Sequence, residues 1–289
     1  MANNIQLFKK YIALLDEVYQ LSSKSSILDG DASLVQAGRN ANEIVIPKMS
    51  LDGLADYSRN SGYVMGDVTL TYETVKFNYD RGRKFVIDAM DDEETAGIAF
   101  GKLSSEFIRT KVVPEMDAFR FATYASISGI GSANGTLADG AAVITALRVA
   151  TNTMDEDEVP SEQRVLFITP TLRGMIDDLD TTKSKEVLAK FSSVVEVPQS
   201  RFNTQVNLFD GTTSGEEAGG FETTGNDINF MVIHTPAILQ YPKHTVNKII
   251  TPEANQESDG WMFFYRAYGL ADAYENKAAG IYVHSKAGA

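Results

Sequence analysis

The amino-acid sequence predicts an α+β fold. Helical and strand-like patterns follow one another without the regular strand–helix–strand repeat of parallel-sheet proteins, which favours helices and sheets that are separate along the chain. A long alternating segment within residues 41–90 predicts an extended ribbon, and aromatic, β-branched strands occupy residues 261–284. The length of 289 residues suits one large domain or two smaller ones.

The first 40 residues predict a short helix followed by an arm. Apolar residues recur at helical spacing from Ile5 to Tyr19, and a serine-rich stretch at residues 22–26 then ends the pattern. A mobile terminus is one interpretation of this segment. We favour an arm that becomes ordered against neighbouring molecules.

Residues 41–90 predict a long two-stranded ribbon. A short strand at residues 44–46 ends at Pro47, and apolar residues then alternate with polar ones over residues 68–72. The alternation resumes one residue out of phase from Val75, and such a slip predicts a β-bulge. An isolated hairpin is marginally stable in water, so this polar ribbon must lie on its own domain or on another subunit.

Residues 91–127 predict one long helix. Four carboxylates at residues 91–94 lie at its start, where the helix dipole favours negative charge. Pro114 interrupts the apolar face, and a proline inside a helix removes a hydrogen bond at a cost of about 3 kcal/mol. We therefore predict a kink at Pro114. The alternative is a pair of shorter helices that meet at Val113 and Pro114.

The middle of the chain predicts two further helices, three strands and two loops. The helices span residues 139–154, with Asp139 as N-cap, and 170–179, which begin at a proline. The strands span residues 165–168, 194–198 and 228–233. Glycines mark a loop at residues 129–135 and a flexible surface loop at residues 211–227.

Composition excludes several classes of function. The chain has no cysteine, which excludes disulfides, thiolate metal sites and thiol nucleophiles, and its three histidines leave little for a metal site. A net charge of −13 opposes phosphate binding, so a dedicated nucleic-acid binder is not expected. No apolar run predicts a membrane span and no secretory signal is visible, which together predict a cytoplasmic origin. We expect no cofactor.

The motifs that could carry chemistry are better explained by structural roles than by catalysis or ligand binding. The spacing of Gly129, Gly131 and Gly135 does not fit a dinucleotide loop, and residues 155–158 fit a solvated helix end better than a calcium loop. His234 and His244 have no nucleophilic serine pattern beside them. We therefore predict no catalysis, and an acidic α+β hydrolase that uses carboxylates and histidine is the remote alternative.

A basic cluster stands out against this acidic background, at Lys76, Arg81, Arg83 and Lys84. It is either the solvated end of a strand or a set of contacts to acidic surface on an adjacent copy. Exposed ion pairs contribute about 0.2–1 kcal/mol each, which matters when they are repeated in an assembly. We take these four residues as candidates for inter-subunit contacts.

Three stretches carry a family resemblance, at residues 79–91, 112–121 and 274–284. In this order and spacing they resemble the major capsid proteins of tailed bacteriophages, whose architecture is called the Hong Kong ninety-seven type. The resemblance spans nearly the whole chain.

This resemblance implies a division of the chain into the parts of that family. The parts are an N-terminal arm (1–40), an extended β-hairpin loop (41–90), a peripheral domain with a long spine helix (91–127 and 241–289) and an axial domain (128–240). The ribbon would then lie over a neighbouring subunit.

The implied function is self-assembly, as hexamers and pentamers, into the icosahedral head shell that encloses the phage genome. The protein would be made in the host cytoplasm and reside in the virion, with packaged double-stranded DNA near it without specific contacts. No scaffolding extension precedes the arm, so a separate scaffolding protein is expected, beside a portal protein and a decoration protein. The alternative within the same fold is an encapsulin-like compartment for protein cargo.

Overall fold

The computed structural model describes residues 23–30, 43–90, 98–179 and 186–287. Its longer helices are α1 (Ile98–Phe107), α2 (Val113–Ser126), α3 (Gly140–Glu156) and α4 (Pro170–Asp177). Its first six strands are β1 (Glu43–Leu51), β2 (Val68–Lys76), β3 (Tyr79–Asp88), β4 (Gly131–Asn134), β5 (Arg164–Ile168) and β6 (Ser193–Glu196). The other six are β7 (Val206–Phe209), β8 (Gly220–Thr223), β9 (Ile228–His234), β10 (Ile238–Ile250), β11 (Gly260–Ala273) and β12 (Ile281–Ser285).

A five-stranded mixed sheet, in the order β4-β12-β9-β5-β6, forms the centre of a three-layer core. Successive side chains of a strand face opposite sides of a sheet. In β5, Leu166 and Ile168 therefore pack with α3 and α4, whereas Val165 and Phe167 pack on the other side. Phe121 of α2 covers that second side, with its ring centroid 5.1 Å from that of Phe167. The predicted α+β class is thus confirmed.

A second, three-stranded sheet has the order β10-β11-β3 and is antiparallel throughout. One of its faces packs against α1 and the start of α2 through a cluster centred on the fully buried Phe263. Phe85 of β3 meets Phe107 of α1 edge to face at 4.8 Å between ring centroids. The sequence did not reveal β10, because Pro242 interrupts its apolar pattern at a shift of register between Pro242 and His244.

The helical backbone continues through Pro114 without a break. A five-residue π-turn, Ile108–Val112, joins α1 to α2, and Val113 keeps helical backbone angles. A π-turn widens the hydrogen-bond ring by one residue, which accommodates a position that lacks an N–H. The alternative of two shorter helices agrees with a second α-helix that begins at Val113, although the π-turn keeps the backbone helical across the joint. The kink at Pro114 stays a prediction.

The ribbon differs from its prediction in two respects. β1 and β2 pair in one unbroken antiparallel register from Glu43–Lys76 to Leu51–Val68, so the ladder has no bulge and β1 runs through Pro47. Proline is tolerated there because β1 is an edge strand. The phase slip arises because the apolar residues change face within the regular strand β2: Leu70 and Tyr72 lie on its exposed face, whereas Val75 lies on the face that packs against the body. After Lys76 the chain leaves the ribbon, and β3 joins the three-stranded sheet.

Several elements of the middle region confirm their predictions, and two do not. Asp139 caps α3, since its carboxylate accepts a hydrogen bond from the Ala142 N–H at 2.7 Å, and β5 is fully buried. The first glycine loop contains β4, which pairs with β12. The loop at residues 211–227 contains β8, which pairs with β7 and is held by arginines described below.

The closing strand β12 lies between β4 and β9, so it belongs to the sheet of the predicted axial region and not to that of the peripheral region. The predicted helix at Ile5–Tyr19 and the carboxylates at 91–94 lie outside the described residues. Within the described part of the chain, no helix is long and apolar enough to cross a membrane.

Candidate assembly surface

The ribbon formed by β1 and β2 is attached to the body of the protein through one of its two faces. Ile44 and Val75, which are opposite each other in the ladder, are buried in a cluster with Leu239, Tyr241 and Leu270. On the same face, Lys48 forms an ion pair with Glu275, with Nζ and Oε2 2.6 Å apart. The base of the ribbon is thereby fixed to the fold.

The opposite face is apolar and exposed. Because cross-strand partners share a face, the pairs stack as a continuous strip. We call this strip the apolar face; it consists of Pro47–Tyr72, Met49–Leu70 and Leu51–Val68. Met49 is 58% exposed and Leu70 51% exposed. The sequence had suggested a polar ribbon, but along the strip the polar residues lie on the other face: Lys48, Ser50, Thr69, Thr71 and Glu73.

The ribbon tip, residues 52–67, adds more exposed apolar surface. The Asp67 N–H donates to Asp52 Oδ2 at 2.8 Å and closes the base of the tip. The rings of Tyr57 and Tyr63 are 4.9 Å apart, and Tyr63 is 90% and Met65 97% exposed. A contiguous apolar surface of this kind on a protein marks a site of interaction with another molecule.

Arg81 contacts its own subunit in three places. It donates to Glu115 Oε1 of α2 at 2.7 Å, to the Phe209 carbonyl at 2.8 Å and to the Gly220 carbonyl at 3.2 Å. Burial opposes the charge of the guanidinium, but the hydrogen bond and charge of Glu115 outweigh burial and raise the pKa of Arg81. Arg81 therefore connects β3, α2 and the β7–β8 hairpin.

The other three candidate cations differ in their contacts within the subunit. Arg83 donates to the Glu217 carbonyl at 2.9 Å, and Lys84 pairs with Glu257 at 2.9 Å. Lys76 is exposed at the base of the ribbon. Arg81, Arg83 and Lys84 thus have partners within the chain, and Lys76 is the candidate that best fits an inter-subunit contact.

The residues of the hydrolase alternative have structural surroundings. Burial, followed by the charges of Arg164 and Lys277, lowers the pKa of His234. Burial lowers the pKa of His284, whose Nδ1 accepts a hydrogen bond from Asn229 Nδ2 at 3.0 Å. His244 is exposed on β10. Among the residues that the structure describes, no group of three or more His, Asp or Glu could hold a metal ion.

The acidic run at residues 155–158 is not simply a solvated helix end. Asp155 Oδ1 lies 2.7 Å from Nη1 of Arg164, whose side chain is almost completely buried. A buried guanidinium requires a nearby counter-charge. The first carboxylate of the run therefore has a structural role, which its sequence context did not reveal.

Comparison with known proteins identifies the fold through solved structures and finds no related sequence family. No protein-family model matches the chain, and no curated protein matches its sequence. Solved structures of phage capsids do match. The capsid of cyanophage P-SCSP1u is 12% identical, with a TM-score of 0.58 over 88% of this chain and 86% of that chain. The mature capsid of bacteriophage PhiM1 is 11% identical, with a TM-score of 0.56 over 88% and 84%.

A virus-like particle from Pyrococcus furiosus also matches, at 9% identity and a TM-score of 0.58 over 96% of this chain and 99% of that chain. The chain therefore has the Hong Kong ninety-seven-type fold of these capsid structures, in agreement with the resemblance seen in the sequence. At these identities the comparison establishes the fold alone.

Proposed function

We propose that the chain is the major capsid protein of a tailed bacteriophage and assembles into the icosahedral head shell around the genome. The observation that carries this proposal is the ribbon, whose base is anchored while its apolar face and tip remain uncovered in the subunit. The similarity to phage capsid structures supports the same conclusion.

The apolar face would be covered by a neighbouring copy. Burial of apolar area contributes about 25 cal/mol per Å² before the costs of association are subtracted. Individual contacts need only be weak, because a closed shell makes many of them at once. Lys76, at the base of the ribbon, would add an ion pair to the same neighbour.

The proposal extends to the parts and partners that the family resemblance implies. The arm, extended loop, peripheral domain and axial domain keep their predicted ranges, except that pairing assigns β3 to the peripheral domain and β12 to the axial domain. Hexamers and pentamers would form with a separate scaffolding protein, a portal protein and a decoration protein. Packaged DNA would lie near the shell without specific contacts, and the chain would carry out no catalysis.

Leu70→Glu tests the apolar face, with Thr69→Glu as its matched control. The two residues are adjacent and exposed in β2 but face opposite sides of the ribbon. We expect Leu70→Glu to abolish regular shells, because it places a charge in a desolvated contact, and Thr69→Glu to leave assembly intact. Negative-stain electron microscopy with scaffolding protein present measures the outcome.

Both variants should keep the melting temperature of the wild-type subunit, since neither side chain is buried within it. Shells formed by Leu70→Glu at the wild-type yield would contradict the proposed role of the ribbon.

A second candidate function is an encapsulin-like compartment that holds protein cargo. The match to the Pyrococcus furiosus virus-like particle over nearly both whole chains favours keeping it. The content of purified particles separates the two functions. A phage head contains nucleic acid after packaging, whereas a compartment contains a cargo protein, and ultraviolet absorbance together with gel electrophoresis distinguishes them.

A further inference from the structure

A short stretch near the N-terminus, residues 23–30, is bound to the body by dedicated side chains; we call it the arm segment. Its main anchor is Asp117 of α2, whose side chain is fully buried. Asp117 accepts hydrogen bonds from Ser23 Oγ at 2.9 Å, Lys24 N at 3.0 Å, and Ser25 N and Oγ at 3.2 and 2.7 Å. One carboxylate thus binds both backbone and side-chain donors of the segment.

Two more side chains complete these polar contacts. Arg120 donates to Ser25 Oγ at 2.8 Å and lies 3.4 Å from Asp29 Oδ1. Gln240 of β10 donates to the Ser25 carbonyl at 2.8 Å and to Asp29 Oδ1 at 2.6 Å. The backbone carbonyl of Gln240 accepts a hydrogen bond from the Gly30 N–H at 2.9 Å. The segment is therefore recognised along its length, as a peptide ligand is.

An apolar anchor accompanies the polar contacts. Leu28 is 1% exposed and lies in the core cluster with Phe121, Tyr124 and Phe202, whereas the adjacent Ile27 is 44% exposed. We call the recess that receives the segment the arm slot; it is formed by Asp117, Arg120, Phe121, Tyr124 and Gln240. One buried leucine between polar contacts fixes the register of the bound segment.

An empty slot would leave buried polar groups without their hydrogen-bond partners. Removal of the segment would leave Asp117 with the Arg201 ion pair at 3.0 Å but without its four hydrogen bonds from the arm. Buried polar groups that lose their partners are costly, which favours any segment that restores the same donors. A side chain at Gly30 would also place its Cβ 2.8 Å from the Tyr241 ring. The slot therefore selects for this sequence.

The connection that follows the segment is long for the distance it has to cover. Gly30 abuts the Tyr241 ring, and Ile44 at the start of the ribbon belongs to the same hydrophobic cluster as Tyr241. Twelve residues, 31–42, lie between these two segments, and a chain of that length reaches roughly 40 Å when extended. Such a length also permits the segment to reach a slot on an adjacent molecule.

We propose that the arm slot is a peptide-binding site and that it accepts the arm segment of a second copy of this chain as well as its own. Exchange of an identical element between copies needs no new contacts, because the same donors and the same leucine are presented. This binding site goes beyond the shell function and does not depend on it, since exchange can occur in any association of two copies.

The first experiment measures binding of a fluorescein-labelled peptide of residues 21–32 to the full-length chain by anisotropy. In Leu28→Asp the chain's own segment is released, and the peptide should bind saturably, roughly tenfold or more tighter than to the wild-type chain. The wild-type chain binds weakly because its own segment competes at a high effective concentration.

Ile27→Asp is the matched control, since it adds the same charge at the exposed neighbour and should behave as the wild type. If Leu28→Asp does not fold, Leu28→Ala takes its place with the same expected order of affinities. Absence of saturable binding to the released variant, or equal affinity for all the chains, would overturn the assignment of the slot.

The second experiment tests supply of the segment by another copy. Leu28→Asp has an intact slot but no functional segment, whereas Asp117→Asn keeps its segment and replaces an acceptor oxygen of the slot with a donor. Isotope labelling of one variant allows native mass spectrometry to detect mixed pairs. We expect mixed pairs after mixing and none through the slot in either variant alone; a mixture without mixed pairs would restrict the slot to its own chain.

Discussion

At the scale of single residues, the basic cluster shows that charge identity alone does not reveal where a charge is used. Arg81 and Arg83 stand out in the sequence as cations near a strand end, but the structure directs them to backbone carbonyls of the β7–β8 hairpin. Each contact joins residues more than a hundred positions apart in the chain, which no local pattern encodes. Their role in the subunit is to connect distant elements.

Arg81→Ala should reduce the free energy of unfolding by about 2–3 kcal/mol, because it leaves the largely buried Glu115 without its ion pair. Arg83→Ala, which removes one hydrogen bond from an exposed side chain, should cost less than about 1 kcal/mol. Urea unfolding of the dissociated subunit measures both values. Equal, small effects would instead return Arg81 to the group of inter-subunit candidates.

At the scale of elements, the helix around Pro114 combines an unfavourable residue with an adapted backbone. The π-turn at Ile108–Val112 ends one residue before Val113 and two before the proline, so the helix continues at the position where a hydrogen bond is missing. Such turns inside helices occur frequently at functional sites. The predicted kink would lie at this joint.

Pro114→Ala should stabilise the isolated subunit by about 1 kcal/mol. The substitution supplies the missing N–H, and part of this gain is offset because alanine leaves the unfolded chain more freedom than proline does. Urea unfolding followed by circular dichroism measures the change. A loss of stability would show that the proline acts as a favourable first-turn residue of α2 and does not strain the helix.

The elements also show how far sequence reasoning extends. Short-range signals sufficed for β5, which is an uninterrupted apolar run, and for the Asp139 cap of α3. They failed for β8, because this short strand exists only through its pairing with β7 and its contacts to Arg81. The ribbon was found, but its apolar face became visible only once the register paired Met49 with Leu70.

At the scale of the whole molecule, charge opposes association while the ribbon favours it. Each copy carries a net charge of −13, so neighbouring copies repel one another at low ionic strength. The apolar face contributes an attraction that salt does not screen. The balance of these two effects should set the conditions of assembly.

We therefore expect added salt to promote shell formation. Raising sodium chloride from about 0.05 M to about 0.5 M shortens the screening length to a few Å and weakens the repulsion between copies. The critical subunit concentration, measured by light scattering, should fall severalfold, and Leu70→Glu should remain unassembled at both concentrations. Dissociation of shells by salt would mean that ion pairs such as those available to Lys76 dominate the contacts.

The position of β12 has a consequence for biosynthesis. This strand is formed by residues 281–285 and lies between β4 and β9 inside the five-stranded sheet. Until residues 281–285 leave the ribosome, β4 has no strand partner and β9 keeps one open edge. The sheet closes only when β12 is available, although β4 is made more than a hundred residues earlier, so the subunit stays incomplete over most of its synthesis.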